Sequence, residues 1–161
     1  MQRLALKLCY LCLSLVAQTV YADRNATLTK TYERIIQLED ARTLGNGELE
    51  ALLQHKLPEV RYRAALAIGR IGDKRGTDAL LKVLEKELLT RLRLITVFAL
   101  GEMEDVEAVQ ALVNVLERKT EAVAVRARAA EALGKIVISQ DNAMRLGKEF
   151  VEKINSALIA Q

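Results

Sequence analysis

Few side chains in this sequence can do chemistry, and their spacing narrows the choices further. His55 is the only histidine and precedes Lys56, so there is no paired His-Glu motif and no zinc set of any spacing. It reads as a turn residue between paired helices. Beyond residue 22 there is no cysteine, and the serines are Ser139 and Ser156, which leaves nucleophilic catalysis without a nucleophile or a base. Glu102, Glu104, Asp105 and Glu107 crowd one turn and would attract a hard cation. They lack the alternate-residue ligand order and the glycine of a calcium loop, so they read as a solvated turn and helix cap. No glycine-rich phosphate loop follows a strand, because no strand is predicted. The expectation is therefore a non-enzyme with no catalytic residue, no cofactor and no metal. One pattern remains: arginine recurs at Arg61, Arg93 and Arg126, which would suit an anion-binding ladder or a repeated structural role.

The elements that hold these residues follow from composition and periodicity. The 161 residues suffice for one domain. Hydrophobic residues make up 51% and charged residues 28%, which excludes a disordered tail, while 4% aromatics and a single proline sit poorly with a β-sandwich. Arg3 and Lys7 flank the apolar run from Leu8 to Ala17, and Val20-Tyr21-Ala22 suits a signal-peptidase site. Residues 1–22 are thus expected to be a secretory signal peptide, with an uncleaved anchor as the alternative. The run is about half the roughly 20 residues that a spanning helix needs. Both cysteines, Cys9 and Cys12, lie in this stretch. Beyond it stand 22 basic and 21 acidic residues, a balance that disfavours nucleic acid as a partner. A sequon, Asn25-Ala26-Thr27, follows the expected cut.

Three segments align in register: VRYRAALAIGRIGD from Val60, LRLITVFALGEMED from Leu92 and VRARAAEALGKIVI from Val125, spaced by 32 and 33 residues. Ala67, Ala99 and Ala132 share one slot, and Gly69, Gly101 and Gly134 another. Each segment follows a shorter amphipathic run: Leu49, Leu52 and Leu53; Leu80, Val83 and Leu84; then Val109, Leu112, Val115 and Leu116. The unit is a helical hairpin, with Pro58 suited to a first turn and Gly72, Gly76, Asp73, Asp78 and Asp105 to turns and caps. Residues 47–138 then hold three hairpins. Residues 23–46 supply an N-terminal capping helix, over roughly Ala26 to Thr43, with its lead-in. Residues 139–161 supply a C-terminal capping helix whose face is Leu146, Phe150, Val151, Ile154 and Leu158. The fold class is all-α, a short α-α superhelix of stacked hairpins in which the small residues let second helices approach.

The pattern V-R-x-x-A-A-x-A-L-G-x-I-G-D after a leucine-rich helix resembles HEAT repeats of the phycobilisome-lyase-like subgroup, from about Gly47 to Ile138. The stretch from Tyr32 to His55 is similar to the lead-in of exported bacterial HEAT proteins, some of which continue into a cyclophilin-type prolyl isomerase. The resemblance implies that the repeated arginine hydrogen-bonds within the array, often to an acid near the preceding turn. Six residues before each arginine stand His55, Glu87 and Thr120, so local partners are expected to vary. The paired His-Glu motifs of the di-iron HEAT-like hydroxylases are missing. HEAT arrays mostly scaffold other macromolecules, so the fold implies a class of function rather than a reaction.

Slots spaced by four on the second helices are expected to face outward: Tyr62, Leu66 and Arg70; Leu94, Phe98 and Glu102; Ala127, Glu131 and Lys135. Ile95 stands where the other repeats carry Arg63 and Arg128. Tyr62, Leu66, Leu94, Ile95 and Phe98 would then form an apolar patch for a protein or peptide partner, with Arg63, Arg70, Glu102, Arg128, Glu131 and Lys135 as a polar rim. The alternative is that the chain's own terminal helices, or a second copy, cover it. The functional expectation is an exported, periplasmic or secreted scaffold or adaptor. An accessory subunit of an enzyme, either chromophore-lyase-like or isomerase-associated, is the alternative. No stable membrane insertion is expected after signal cleavage.

Overall fold

Apolar side chains three and four apart wind the chain into helices joined by short turns. The computed structural model describes residue 18 and residues 25–138 and 147–159, and no strand occurs among these residues. Gln18 excepted, the expected signal peptide lies outside the described residues, as do Ser139 and Leu146. The chain divides into two compact units, Met1–Arg34 and Ile35–Gln161. In the first, residues 25–34 are helical, and the hydroxyls of Thr29 and Thr31 donate to the carbonyls of Asn25 and Thr27. In the second unit residues 35–40 are helical (α1), and Ile35 and Leu38 are buried there. Helix α1 stops short of the expected Thr43 because Arg42 turns left-handed, at φ 49°.

Three hairpins follow in the second unit. The first pairs α2 (Glu48–Leu52) with α3 (Pro58–Ile71), the second α4 (Thr77–Lys86) with α5 (Thr90–Met103), and the third α6 (Val109–Glu117) with α7 (Val123–Ile138). The final helix, α8 (Lys148–Ile159), packs against α6 and α7 and buries Ile154. Local chemistry sets the boundaries. Pro58 opens α3, where its missing amide hydrogen has no helical partner to lose. Gly72 closes α3 in the left-handed conformation, φ 72°. Asp73 and Asp105 cap the short turns Lys74–Gly76 and Val106–Ala108 by accepting the amides of Arg75 and Glu107.

The second helices α3, α5 and α7 lie side by side, each backed by the first helix of its hairpin. At the closest points a glycine of one helix meets an alanine of the next. A Cβ added at Gly69 would stand 2.7 Å from the Ala99 Cα, and one added at Gly101 would stand 2.8 Å from the Ala132 Cβ and 2.9 Å from its Cα. Glycine inside a helix costs about 1 kcal/mol relative to alanine, and burial across the seam offsets it. Ile68, Leu100 and Leu133, each one residue before an aligned glycine, are fully buried, and each contributes roughly 1.5–3 kcal/mol. The expectation that all three aligned glycines seat a neighbour holds for two; a Cβ at Gly134 would meet nothing within 4 Å among the described residues.

Helix α5, enclosed by α3, α7 and α4, is buried on most of its surface. Thr96 fills the slot that Ala64 and Ala129 occupy elsewhere, and its buried hydroxyl donates to the Leu92 carbonyl at 2.8 Å. The same substitution should therefore have opposite effects at equivalent slots. Gly101→Ala should lower the unfolding free energy by roughly 1–3 kcal/mol through overpacking. Gly134→Ala should leave it unchanged or raise it by up to about 1 kcal/mol. Urea denaturation checks both, and equal losses would contradict the seam described here.

Candidate functional site

The recurring arginines are consumed by the stack itself. Arg61 donates through Nε and Nη2 to one oxygen of Glu87, at 3.1 and 2.9 Å, and through Nη1 to the carbonyls of His55 and Lys56. Arg93 repeats this arrangement one hairpin later. It forks onto Glu121 and donates through Nη1 to the carbonyls of Leu84 and Glu87, at 2.5 and 3.1 Å. The Arg93 and Glu121 side chains are only 8% and 7% exposed. Arg126 donates to the Leu116 carbonyl at 3.1 Å. Each of the three thus ties down carbonyls of its own hairpin, and the first two also reach a carboxylate in the inter-helix turn of the following one. Partners vary by repeat as expected, since Arg126 has a carbonyl alone, but the acids of the first two lie in the following hairpin and form two rungs of a ladder that runs forward along the stack.

The five predicted docking residues converge. Tyr62 and Leu66 of α3 and Leu94, Ile95 and Phe98 of α5 line one open groove of ≈430 Å³, together with Arg70, Arg91 and Arg128. Four of them are half-buried, but Ile95 is only 7% exposed, which corrects its expected outward position. The reason lies in the slot it shares with Arg63 and Arg128, which faces the preceding helix: Arg63 reaches Glu39 of α1, and Arg128 lies over Phe98 of α5. Ile95 forms the groove floor.

The rim is rearranged from the expected one. Arg63 and Arg70 both bind Glu39, each at 2.8 Å, so Arg63 turns toward α1 and does not line the groove. Glu102 pairs with Lys135 across α5 and α7, and Arg128 pairs with Glu131 at 2.7 Å. Arg70, Glu102 and Lys135 alternate in sign along the sequence repeat, yet Arg70 finds its partner in Glu39. Burial pushes the Glu39 carboxyl upward, but Arg70 and Arg63 outweigh it and hold the group below the usual carboxylate range.

Sequence reasoning missed Arg91. Its guanidinium lies 4.5 Å from the Tyr62 ring centroid, while Arg128 and Lys135 stand 5.8 and 5.7 Å from that of Phe98. The sign of it was the spacing: Arg91 precedes Ile95 by four and Phe98 by seven, one helical face. The repeat register concealed it, because the matching positions hold Glu59 and Ala124.

Other candidates resolve into structure. His55 accepts the Leu57 amide at Nδ1, at 3.1 Å, and shapes the turn before α3. Asp105, expected in a solvated turn, is buried and also accepts the Thr77 hydroxyl at 2.8 Å. No group of three or more histidine, cysteine or acidic residues that could hold a metal ion occurs among the described residues. A larger cleft of ≈550 Å³ lies between α4 and α6 on the first-helix side. Its lining mixes Asp78 and Glu85 with Lys82 and Arg118, and its Arg93 is already bonded within the ladder, so it has no common chemistry to offer a ligand.

Comparison with known families agrees with this geometry. Residues 77–146 match the family model described as HEAT repeats, and residues 60–86 match that of the PBS lyase HEAT-like repeat. No curated protein matches the chain significantly.

The ladder carries a pH signature. Burial pushes Glu87 upward, but the Leu89 amide, Arg61 and the Leu88 amide outweigh it and depress its pKa. Glu39 is depressed as well. A carboxylate lowered on folding stabilises fully above its unfolded value of about 4.3, and that contribution is lost as pH falls through the folded value. The unfolding free energy should therefore drop on acidification below about pH 5. Glu87→Gln should cost about 1–2 kcal/mol at pH 7 and flatten the acid slope. Denaturation at several pH values tests this, and an unchanged slope in the variant would contradict it.

Proposed function

We propose that this chain, a HEAT-repeat protein, is a non-enzymatic scaffold or adaptor that holds a protein or peptide partner on the face formed by its second helices. HEAT repeats commonly serve in protein–protein interaction scaffolds, which supplies the functional class. One observation favours this face: Tyr62, Leu66, Leu94 and Phe98 stay part-exposed along an open groove, where a packed core would have sealed them. The adaptor works outside the cytoplasm, in the periplasm or secreted, in keeping with the charged and apolar character of residues 1–22. No helix of the described residues is long and apolar enough to cross a membrane.

A second reading makes the chain an accessory subunit of an enzyme, and the match of residues 60–86 to the PBS lyase HEAT-like repeat favours it. The two differ in what the purified chain does by itself. Reproducible bilin-transfer or prolyl-isomerase turnover would count against the adaptor.

The experiment for the leading reading is affinity capture from the source cells with wild-type chain and with the Tyr62→Glu, Phe98→Glu double variant as baits. The variant should lose its specific partner by at least about tenfold, as truncation of aromatic anchors does at interfaces, while far-ultraviolet circular dichroism is unchanged. Equal capture by both baits would reject this face.

A further inference from the structure

We infer that the occupant of the groove is an acidic peptide segment carrying a large apolar side chain, an inference that rests on the docking role proposed above and specifies its chemistry. The groove lining holds three arginines, Arg70, Arg91 and Arg128, and no acid. The charges that surround it do not cancel. Arg63, Arg70, Arg91, Arg128 and Lys135 stand against Glu39, Glu102 and Glu131, which leaves two positive charges in excess.

The excess is available to a ligand. Glu39 is shared between two guanidinium groups, and Arg70 keeps 53% of its side chain exposed. Arg91 has no ion pair among the described residues, and its guanidinium carbon lies over the Tyr62 ring, 4.5 Å from the centroid. Stacking uses the flat face of a guanidinium and leaves its N–H edge free to fork onto a carboxylate. The Arg128–Glu131 pair is an exposed one, with side chains 42% and 60% accessible, so exchanging Glu131 for an incoming carboxylate costs little. Between these cations Leu66, Leu94 and the buried Ile95 form an apolar floor. The ≈430 Å³ available is in the range of sites that hold a few side chains.

An anionic nucleic acid fits less well. Each aromatic ring already has cations close to it, Arg91 by Tyr62 and Arg128 and Lys135 by Phe98, where a base would have to stack. A carboxylate-bearing peptide needs only the guanidinium edges and the apolar floor.

The test is selection from a random displayed library of peptides about twelve residues long, using the purified chain and, as counter-selection, the Tyr62→Glu, Phe98→Glu variant. Sequences retained by wild type alone should carry net negative charge and at least one large apolar residue. A synthetic representative, followed by fluorescence anisotropy, should bind at least tenfold more weakly to Arg91→Gln, Arg128→Gln chain whose thermal midpoint is unchanged. Its Glu→Lys version should bind wild type at least tenfold more weakly. Groove-dependent sequences that are basic or uncharged would overturn the acidic preference and leave the docking role standing. Displacement of the peptide by oligothymidylate at equal concentration would overturn it in favour of nucleic acid. Absence of any groove-dependent sequence would overturn both the preference and the docking role.

Discussion

The spacing between neighbouring second helices depends on one contact, a glycine of one helix receiving an alanine of the next. Gly69 against Ala99 and Gly101 against Ala132 leave no room for a further methyl group, so these backbones approach as closely as side chains permit. That approach has a geometric consequence. Side chains too large for the seam must stand at its margins, and in α3 and α5 those margins carry Tyr62, Leu66, Leu94 and Phe98. The groove is thus a product of the seam: small residues join the helices, and large ones displaced from the joint are left lining an open channel.

The arginine ladder secures the other end of the same helices. Each of the first two guanidinium groups binds carbonyls of its own hairpin and a carboxylate of the next, which ties consecutive repeats together near the turns. Buried ion pairs of this kind add little net stability over an apolar alternative, but breaking one strands a charge in a dry site. The ladder therefore favours one register between hairpins over its neighbours. The seam sets distance, and the ladder sets alignment.

Much of this was legible in the residues. Pro58, Gly72, Asp73 and Asp105 act where their chemistry requires, and the recurring arginine, alanine and glycine all fall in α3, α5 and α7. What periodicity could not show was direction across the stack. The acid for Arg61 was sought in the turn before it, whereas Glu87 lies in the turn of the following hairpin, a contact between residues 26 apart. Ile95 was placed outward because the other repeats carry Arg63 and Arg128 in its slot, and charge there suggests solvent; in the stack that slot faces the preceding helix. Arg91 was overlooked because its equivalents in the other repeats share nothing with it. Gly134 copies the glycine pattern without the contact that explains it elsewhere. Each miss concerns which repeat a side chain addresses, and that is fixed by packing rather than by spacing along one helix.

The functional account rests on the groove being occupied in the working complex. Hydroxyl-radical footprinting, read by mass spectrometry on the isolated chain and on its native complex, measures this most directly. Tyr62 and Phe98 should be reactive in the isolated chain and protected in the complex, with Leu88 and Val123, exposed at the turns, equally reactive in both. Unchanged reactivity at Tyr62 and Phe98, with protection appearing instead at Leu81 and Ala111 between the first helices, would contradict the account.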